Sequence, residues 1–342
     1  MRAYVTRRLL AMPFLLLGVI TVAFILSHFT QADPLTSILG DRQMSNPAVV
    51  EAARERWGLD RPLPVQYGIY IKNLLSGDFG TSFRTRQPVA QDLLVRLPAT
   101  LELVIAAMIL GSAVGIALGV LAARFQDTAI DNIARLFALI GASAPVFWTG
   151  LIVLYVFTVK LGWLPGPGRV GGRDVAPEFI TGMYTLDTLI AGDFDKFGSV
   201  MAHLILPASV LGWTVTGIVS RMVRASMLDV MNQEYITAAR AKGAGELRIL
   251  FNHALRNALI PTLTILGFTF AYLITGAILT EAIFSWPGIG SYAVSASRGL
   301  DQPAIIGVTI VGGAAFLIIN LLTDIAYAFV DPRVKLGARA AT

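Results

Sequence analysis

Long apolar runs separated by polar connections make up most of this chain. Six of the runs are long enough to cross about 30 Å of hydrocarbon as helices; they are Leu9–Phe29, Ala99–Ala123, Leu136–Val159, Val200–Val219, Leu259–Phe284 and Ala304–Tyr327. The first run follows three arginines, as in a signal peptide, but it is too long for a signal-peptide core and no clear small-residue cleavage site follows. The pattern therefore predicts an all-α polytopic membrane protein with six transmembrane helices.

The segment between the first two runs, residues 30–98, is predicted to form a small helical unit outside the membrane. In "NPAVVEAARERWGLD", Asn46 is suited to cap a helix, Pro47 to its first position and Gly58 to the residue just past its end. "LLSGDFGTSF" is typical of turns, and "QPVAQDLLVRLP" predicts a second helix that leads into the second span. The unit is too short to be an independent receptor domain.

A second polar segment, residues 221–258, separates the fourth and fifth runs. From about Ala225 to Lys242 it is rich in helix formers, and Gly243 is suited to the left-handed position after a helix end. A further helix is predicted by one apolar stripe with helical spacing, which consists of Leu247, Leu250, Phe251, Ala254, Leu255, Ala258 and Leu259. We therefore predict a helix, a tight glycine turn and a helix, which together form a short finger.

The composition agrees with a membrane protein and excludes several kinds of site. Hydrophobic residues make up 55% of the chain and charged residues only 14%, well below the share in soluble domains. The absence of cysteine excludes disulfides, thiolate metal sites and a cysteine nucleophile. His28, His203 and His253 show no metal-ligand spacing, so no metal, cofactor or catalytic residue is predicted. The chain has no GxxxxGK[ST] phosphate loop, so it does not hydrolyse ATP through one.

The distribution of basic residues predicts the orientation. Both termini lie on the same side as the connections after the second and fourth spans, and that side carries fourteen Lys and Arg against five in the shorter loops opposite. Basic residues favour the cytoplasm, so we read the net charge of +5 as topology rather than nucleic-acid binding. The expected divisions are a cytoplasmic N-terminus and first span (1–29), an external segment (30–98), a transmembrane core (99–330) with the cytoplasmic loop 221–258, and a cytoplasmic tail (331–342).

Several stretches carry a resemblance to a known family. "EYITAARAKG…LRNALIP" resembles the cytoplasmic "EAA" loop of ABC-importer membrane subunits, most closely that of the dipeptide/oligopeptide permease family. "RWGLDRPLPVQYGIYIKNLLSGDFGTSF", "TEAIFSWPGIG", "LLTDIAYAFVDPRVK" and the start "YVTRRLL" are similar to other parts of the same family, in the same order. One departure is "HALR" at 253–256, where the general pattern continues with Ile-x-Leu-Pro.

The resemblance implies a type I ABC-importer permease fold and a set of partners. These are a second homologous permease subunit, two cytoplasmic ABC ATPases, an external substrate-binding protein and membrane lipid of a bacterial inner membrane, with no nucleic acid. The ATPase-coupling residues that it implies are Glu234, Ala238, Ala239, Arg240, Lys242, Gly243 and Leu255. The expected substrate is a di- or oligopeptide, and a nickel chelate, glutathione, an opine or a sugar stays open as an alternative.

Two other interpretations remain. The finger could be a basic helix lying on anionic lipid, although a lipid anchor needs neither Glu234 nor Glu246. A gradient-driven carrier would place acids at mid-membrane, whereas Glu102, Glu281 and Asp324 lie near span ends. Candidate residues of a translocation path are Pro145, Trp148 and Trp213, for which packing or an interfacial position is the alternative.

Overall fold

The computed structural model describes residues 2–29, 44–57, 61–172 and 174–330. Within these ranges the chain is mostly helical, and the extended structure is one isolated bridge between Thr81 and Pro88. The predictions made for residues 30–43, for Gly58 and for the tail 331–342 lie outside the described residues. The prediction of an all-α membrane protein is confirmed.

The helices follow the apolar runs but are longer. In chain order they are α1 (Arg2–Phe29), α2 (Pro47–Trp57), α3 (Leu63–Leu75), α4 (Val89–Arg124), α5 (Ala129–Ser143), α6 (Val146–Leu154, continued by the π-helical turn Tyr155–Lys160), α7 (Tyr184–Ala191), α8 (Phe194–Met231), α9 (Glu234–Ala241), α10 (Glu246–Arg248, continued by the π-helical segment Ile249–Leu255), α11 (Arg256–Gly276), α12 (Ile278–Ile283), α13 (Ile289–Arg298) and α14 (Gln302–Val330). Among the described residues, five helices are long and apolar enough to cross a membrane, or six when α5 and α6 count as one bent span.

The third predicted span is broken rather than continuous. Helices α5 and α6 meet at 106° across Ala144 and Pro145, so the predicted run Leu136–Val159 is covered by two helices rather than one. Proline disfavours helical backbone in the residue before it, and Ala144 is extended, with ψ of 136°. The fifth predicted span, Leu259–Phe284, is likewise divided, between α11 and α12 at Ala277.

Helices α4 and α8 run parallel and form the centre of the bundle. The side chain of Thr216 on α8 donates a hydrogen bond to the carbonyl of Gly111 on α4 at 3.2 Å. Three glycines of α4, spaced four residues apart, face α8, and a methyl group on any of them would overlap that helix. The facing pairs are Gly111 with Gly212 and Val215, Gly115 with Val219, and Gly119 with Val223. The absence of side chains on this face of α4 lets the two backbones approach closely.

Two ends of the bundle carry different kinds of connection. We call the end with residues 232–248 the finger end, and the opposite end, with residues 76–88, 161–193 and 284–301, the cap end. Asn46 caps α2 as predicted, since its side-chain oxygen accepts a hydrogen bond from the Ala48 amide at 3.2 Å. The helix predicted from "QPVAQDLLVRLP" is the first part of α4, which continues through Pro98 without a break.

Candidate functional site

The finger begins where α8 ends, beyond the apolar part of that helix. The helix predicted from Ala225 to Lys242 is interrupted at Asn232 and Gln233, and Gln233 is extended, with ψ of 149°. The chain therefore changes direction before α9, so the prediction of one uninterrupted helix is wrong. Ile236 is fully buried and attaches α9 to the bundle, while most other α9 side chains remain exposed.

The turn at Gly243 has the predicted geometry. Gly243 has φ of 79°, in the left-handed region that glycine tolerates best. Its amide donates to the carbonyl of Arg240 at 2.9 Å, and the Ala244 amide donates to the carbonyl of Ala239 at 3.1 Å. These two bonds are those of a Schellman motif, which satisfies carbonyls at a helix end. Gly243 thus ends α9 and returns the chain toward the membrane.

The predicted coupling residues fall into two groups. Glu234, Ala238, Arg240, Lys242 and Gly243 are exposed on α9 and its turn, and Ala239 beside them is half-buried. The Arg240 guanidinium Nε lies 3.1 Å from a carboxylate oxygen of Glu246, which links the two sides of the turn. Leu255 is separate, because it lies on the return segment and packs against the hydrophobic core.

The return segment buries a different face from the one predicted. Leu250, Ala254 and Ala258 are buried as expected, but Leu247 is 65% exposed and Phe251 52% exposed. Ile249, outside the predicted stripe, is fully buried instead. Residues 249–255 are π-helical, and the wider turn of a π-helix places residues five apart, such as Ile249 and Ala254, on one face. The stripe was wrong at Leu247 and Phe251 because it assumed α-helical spacing.

The three residues predicted for a translocation path are placed differently from one another. Pro145 lies at the bend of the third span, and Trp148 follows on α6 with 54% of its surface exposed. Trp213 on α8 packs against α5, where its indole Nε1 donates to the carbonyl of Phe137 at 3.1 Å. Its ring lies 5.2 Å from that of Phe137. Trp213 thus has a packing contact, and a path role for the three residues stays a prediction.

The cap end contains a buried ion pair that sequence reasoning did not identify. Arg169, in the loop after α6, donates to the Glu102 carboxylate on α4 and to the carbonyl of Gly182. The second Glu102 oxygen accepts from the Thr185 amide at 2.6 Å. The Arg169 guanidinium carbon lies 3.5 Å from the ring centroid of Tyr184. One buried arginine therefore holds the loop between α6 and α7 against α4.

A second buried carboxylate holds the turn between α12 and α13. Glu281 is fully buried and accepts hydrogen bonds from the Thr100 hydroxyl at 2.5 Å and the Ser291 amide at 2.8 Å. Trp286, also fully buried, donates from its indole Nε1 to the carbonyl of Ala99 at 2.7 Å. A methyl group on Gly288 would overlap both Glu281 and Thr100. The "TEAIFSWPGIG" stretch is thus packed tightly against α4.

A third cluster fastens the segment before α4. Ser82 donates to Asp301 at 2.5 Å, and Asp301 is almost fully buried just before α14. The Tyr292 hydroxyl donates to Asp92 at 2.9 Å, and burial raises the pKa of that phenol. The cap end is therefore tied together by side-chain hydrogen bonds between segments far apart in the chain.

At the finger end, α5 and α8 are joined by a second ion pair. Arg224 donates to both oxygens of Asp131, from Nε at 2.8 Å and from NH2 at 2.7 Å. Asp131 is fully buried and also lies 3.2 Å from Nε of Arg135. Glu102 was considered only as an acid near a span end, whereas Arg169, Asp131 and Arg224 were not assigned a role. An acid close to an apolar run is the signal that could have marked Glu102 and Asp131 as candidates for pairing, although it does not identify their partners.

Comparisons with known proteins identify the family of the chain. The sequence profile described as "Binding-protein-dependent transport system inner membrane component" matches residues 115–336, and the N-terminal profile of such membrane components matches residues 1–104. The chain belongs to this family. It is therefore a membrane component of an ABC-type transport system, and the resemblance noted in the finger is confirmed at the level of the family.

Full-length relatives carry names from the same group. The chain is 42% identical to "Dipeptide transport system permease protein DppB" of Alkalihalophilus pseudofirmus, over 98% of this chain and 100% of that protein. It is 42% identical to "Probable D,D-dipeptide transport system permease protein DdpB" of Escherichia coli K12, over 94% of each chain. It is 38% identical to "Oligopeptide transport system permease protein AppB" of Bacillus subtilis, over 98% and 100%.

A solved structure shares the fold. The inward-facing MetNI methionine ABC transporter contains a chain that matches with a TM-score of 0.50 and 17% identity, over 70% of this chain and 96% of that one. This likeness concerns the fold alone, and it agrees with the predicted type I ABC-importer permease fold.

Proposed function

We propose that this family member is the membrane-spanning subunit of an ATP-driven importer of di- or oligopeptides. The observation that carries the proposal is the finger: a short exposed helix that ends in a Schellman turn at Gly243 and returns directly to a span. The names of three relatives, at 38% to 42% identity over nearly the whole chain, support a peptide substrate.

The partners follow from what the chain lacks and what the finger presents. Its sequence has no phosphate loop, so the ATP is hydrolysed by other subunits. We assign the finger to contact with one of two cytoplasmic ATPases, through the exposed residues Glu234, Ala238, Arg240 and Lys242. A second homologous permease completes the membrane part, and an external binding protein delivers peptide to the cap end.

The orientation is tested in the cysteine-free chain. Ser45→Cys and Gly245→Cys each place one thiol at an exposed position. In intact cells an impermeant thiol reagent is expected to label position 45 only, because the basic residues of the finger favour the cytoplasmic side of the membrane. Labelling at position 245 without labelling at 45 would reverse the orientation, and with it the assignment of the finger to an ATPase.

The function is tested in the complete transporter, with peptide uptake, ATPase co-purification and substrate-stimulated ATP hydrolysis as readouts. Ala239→Asp introduces a charge on the half-buried side of α9 and is expected to abolish uptake through loss of ATPase docking or coupling. The wild-type chain reconstituted alone should move no peptide under ATP or a proton gradient. Robust peptide uptake by the chain alone under a proton gradient would contradict the proposal of an ATP-driven importer.

A further inference from the structure

Asp131 and Arg224 form the most completely satisfied ion pair at the finger end, within the described part of the chain. The two hydrogen bonds from Arg224 are parallel and bidentate, a geometry that fixes direction as well as distance. Asp131 also accepts from the Asp127 amide at 3.0 Å and lies 3.2 Å from Arg135. Asp131 is fully buried, and α5 cannot change its position relative to α8 without breaking both hydrogen bonds from Arg224.

The pair is one end of an interface that continues along both helices. Asp131, Ala138 and Gly141 on α5 face Arg224, Gly217 and Trp213 on α8, in antiparallel order. A methyl group on Gly217 would overlap the carbonyl of Ala138, and one on Gly141 would overlap the indole of Trp213. The two helices are therefore closely packed at Gly141 and Gly217, and the ion pair joins them at the end nearest the finger.

The two helices lead to different parts of the molecule. Arg224 is seven residues before the end of α8 at Met231, after which the chain passes directly into the finger. Helix α5 leads in the other direction, to the 106° bend at Pro145 and then to α6. Helix α6 packs on the α12 region, where Gly150 lies beside Ile283. The ion pair therefore lies between the finger and the broken third span.

We propose that Asp131 and Arg224 are positioning residues of the transport cycle, which make α5 follow α8 when an ATPase moves the finger. This inference rests on the proposed function, since it requires that the finger is driven. The movement would then reach the bend at Pro145 through a paired helix rather than through the loop 125–128. Without the pair, α8 would move with the ATPase while α5 lagged behind.

The test uses the assembled transporter with its binding protein, in proteoliposomes. Arg224→Gln and the double variant Asp131→Asn/Arg224→Gln are compared with wild type for ATPase co-purification, ATP hydrolysis and peptide uptake. Arg224→Gln is expected to keep its ATPases and hydrolyse ATP, while uptake per ATP falls about tenfold, the size of a typical coupling between sites. The matched control is Lys196→Gln, which removes an exposed ion pair with Asp193 at the other end of α8 and should leave uptake per ATP unchanged.

The double variant separates positioning from folding. It removes both charges, so no carboxylate is left buried without the Arg224 cation, and any loss of assembly in Arg224→Gln should be reversed. Uptake per ATP should stay low, because the bidentate link is still absent. Recovery of uptake in parallel with assembly would mean that the pair only stabilises the fold, and would overturn the proposal.

A covalent link provides the opposite test. Asp131→Cys and Arg224→Cys are combined in this cysteine-free chain and joined by a short bifunctional thiol reagent. If α5 and α8 move together, cross-linking should restore the uptake that the unlinked cysteine pair has lost. Loss of the remaining uptake on cross-linking would show that the helices must separate, and would overturn the inference. Absence of ATP-driven uptake in the wild-type assembly would instead reject the proposed function itself.

Discussion

The cap end and the finger are built in opposite ways. At the cap end, loops from distant parts of the chain are held by buried polar groups, such as Glu102 with Arg169 and Glu281 with Thr100. At the finger end, α9 is exposed on most sides and is attached mainly through the buried Ile236. Its ion pair, Arg240 with Glu246, is exposed on both partners.

This difference indicates that the cap end contributes most to the stability of the fold and that the finger presents a surface to another protein. Buried polar contacts between distant segments favour one arrangement of those segments, because a rearrangement leaves a buried group without its partner. An exposed helix with few attachments has little to lose when it contacts another protein. We therefore expect substitutions at the cap end to lower stability, and substitutions in the finger to lower transport at nearly unchanged stability.

The largest loss of stability is expected from Arg169→Gln. The change leaves Glu102 buried without its cation, which in other proteins costs about 3–5 kcal/mol. The unfolding temperature of the purified complex should fall sharply, as measured by intrinsic tryptophan fluorescence. Arg298→Gln, an exposed arginine of the same end, is the control. Equal unfolding temperatures for the two variants would contradict the claim that buried ion pairs stabilise the cap end.

A smaller loss is expected from Gly288→Ala. The new methyl group would overlap Glu281 and Thr100, and overpacking of this kind typically costs about 1–3 kcal/mol. Gly299→Ala is the matched control, because its methyl group would meet only ordinary contacts at 3.5 and 3.8 Å. The two variants are compared by thermal unfolding, and a larger effect at Gly299 would contradict the tight packing inferred around Glu281.

For Gly243→Val we expect a modest local cost and a large loss of transport. A β-branched residue at φ of 79° meets a penalty of roughly 1–2 kcal/mol, although no atom lies within 4 Å of the added group. Gly245→Val is the control, because it has the same free space but an ordinary φ of −66°. Peptide uptake should be lost at position 243 and kept at 245. If both variants transport normally, the left-handed turn has no role in coupling.

The smallest effect on stability is expected from Glu246→Gln. The partners Arg240 and Glu246 are 42% and 55% exposed, and such surface pairs contribute about 0–1 kcal/mol. The unfolding temperature should remain within experimental error of the wild type. A fall as large as that of Arg169→Gln would mean that the finger is held by charge, and the contrast between the ends would disappear.

Much of the helical fold could be predicted because periodicity and turn chemistry are local. The apolar runs identified the spans, and the left-handed position of Gly243 follows from the residue itself. The face buried by residues 247–259 could not be predicted, because the π-helical segment changes the spacing and only tertiary packing decides where it occurs. The breaks at Asn232 and Ala277 are similar cases, since neither residue prevents helix formation strongly by itself.

The candidate site was predictable to a different extent at the two ends. The finger is continuous in sequence, so its residues could be identified together from one stretch. The cap-end pair of Glu102 with Arg169 joins residues 67 positions apart, and Asp131 with Arg224 joins residues 93 apart. A single sequence contains no information on which arginine meets which acid until the helices are placed in three dimensions.

These same separations have a consequence for synthesis. In both pairs the acid is made first and the arginine later, by 67 and 93 residues. At about 5–20 residues per second, a 93-residue interval lasts roughly 5 to 20 seconds. During this interval Asp131 has been synthesised and lies beside or within the bilayer, while Arg224 has not yet been synthesised. A chain truncated in that interval has Asp131 with only Arg135 beside it, and lacks the two hydrogen bonds from Arg224.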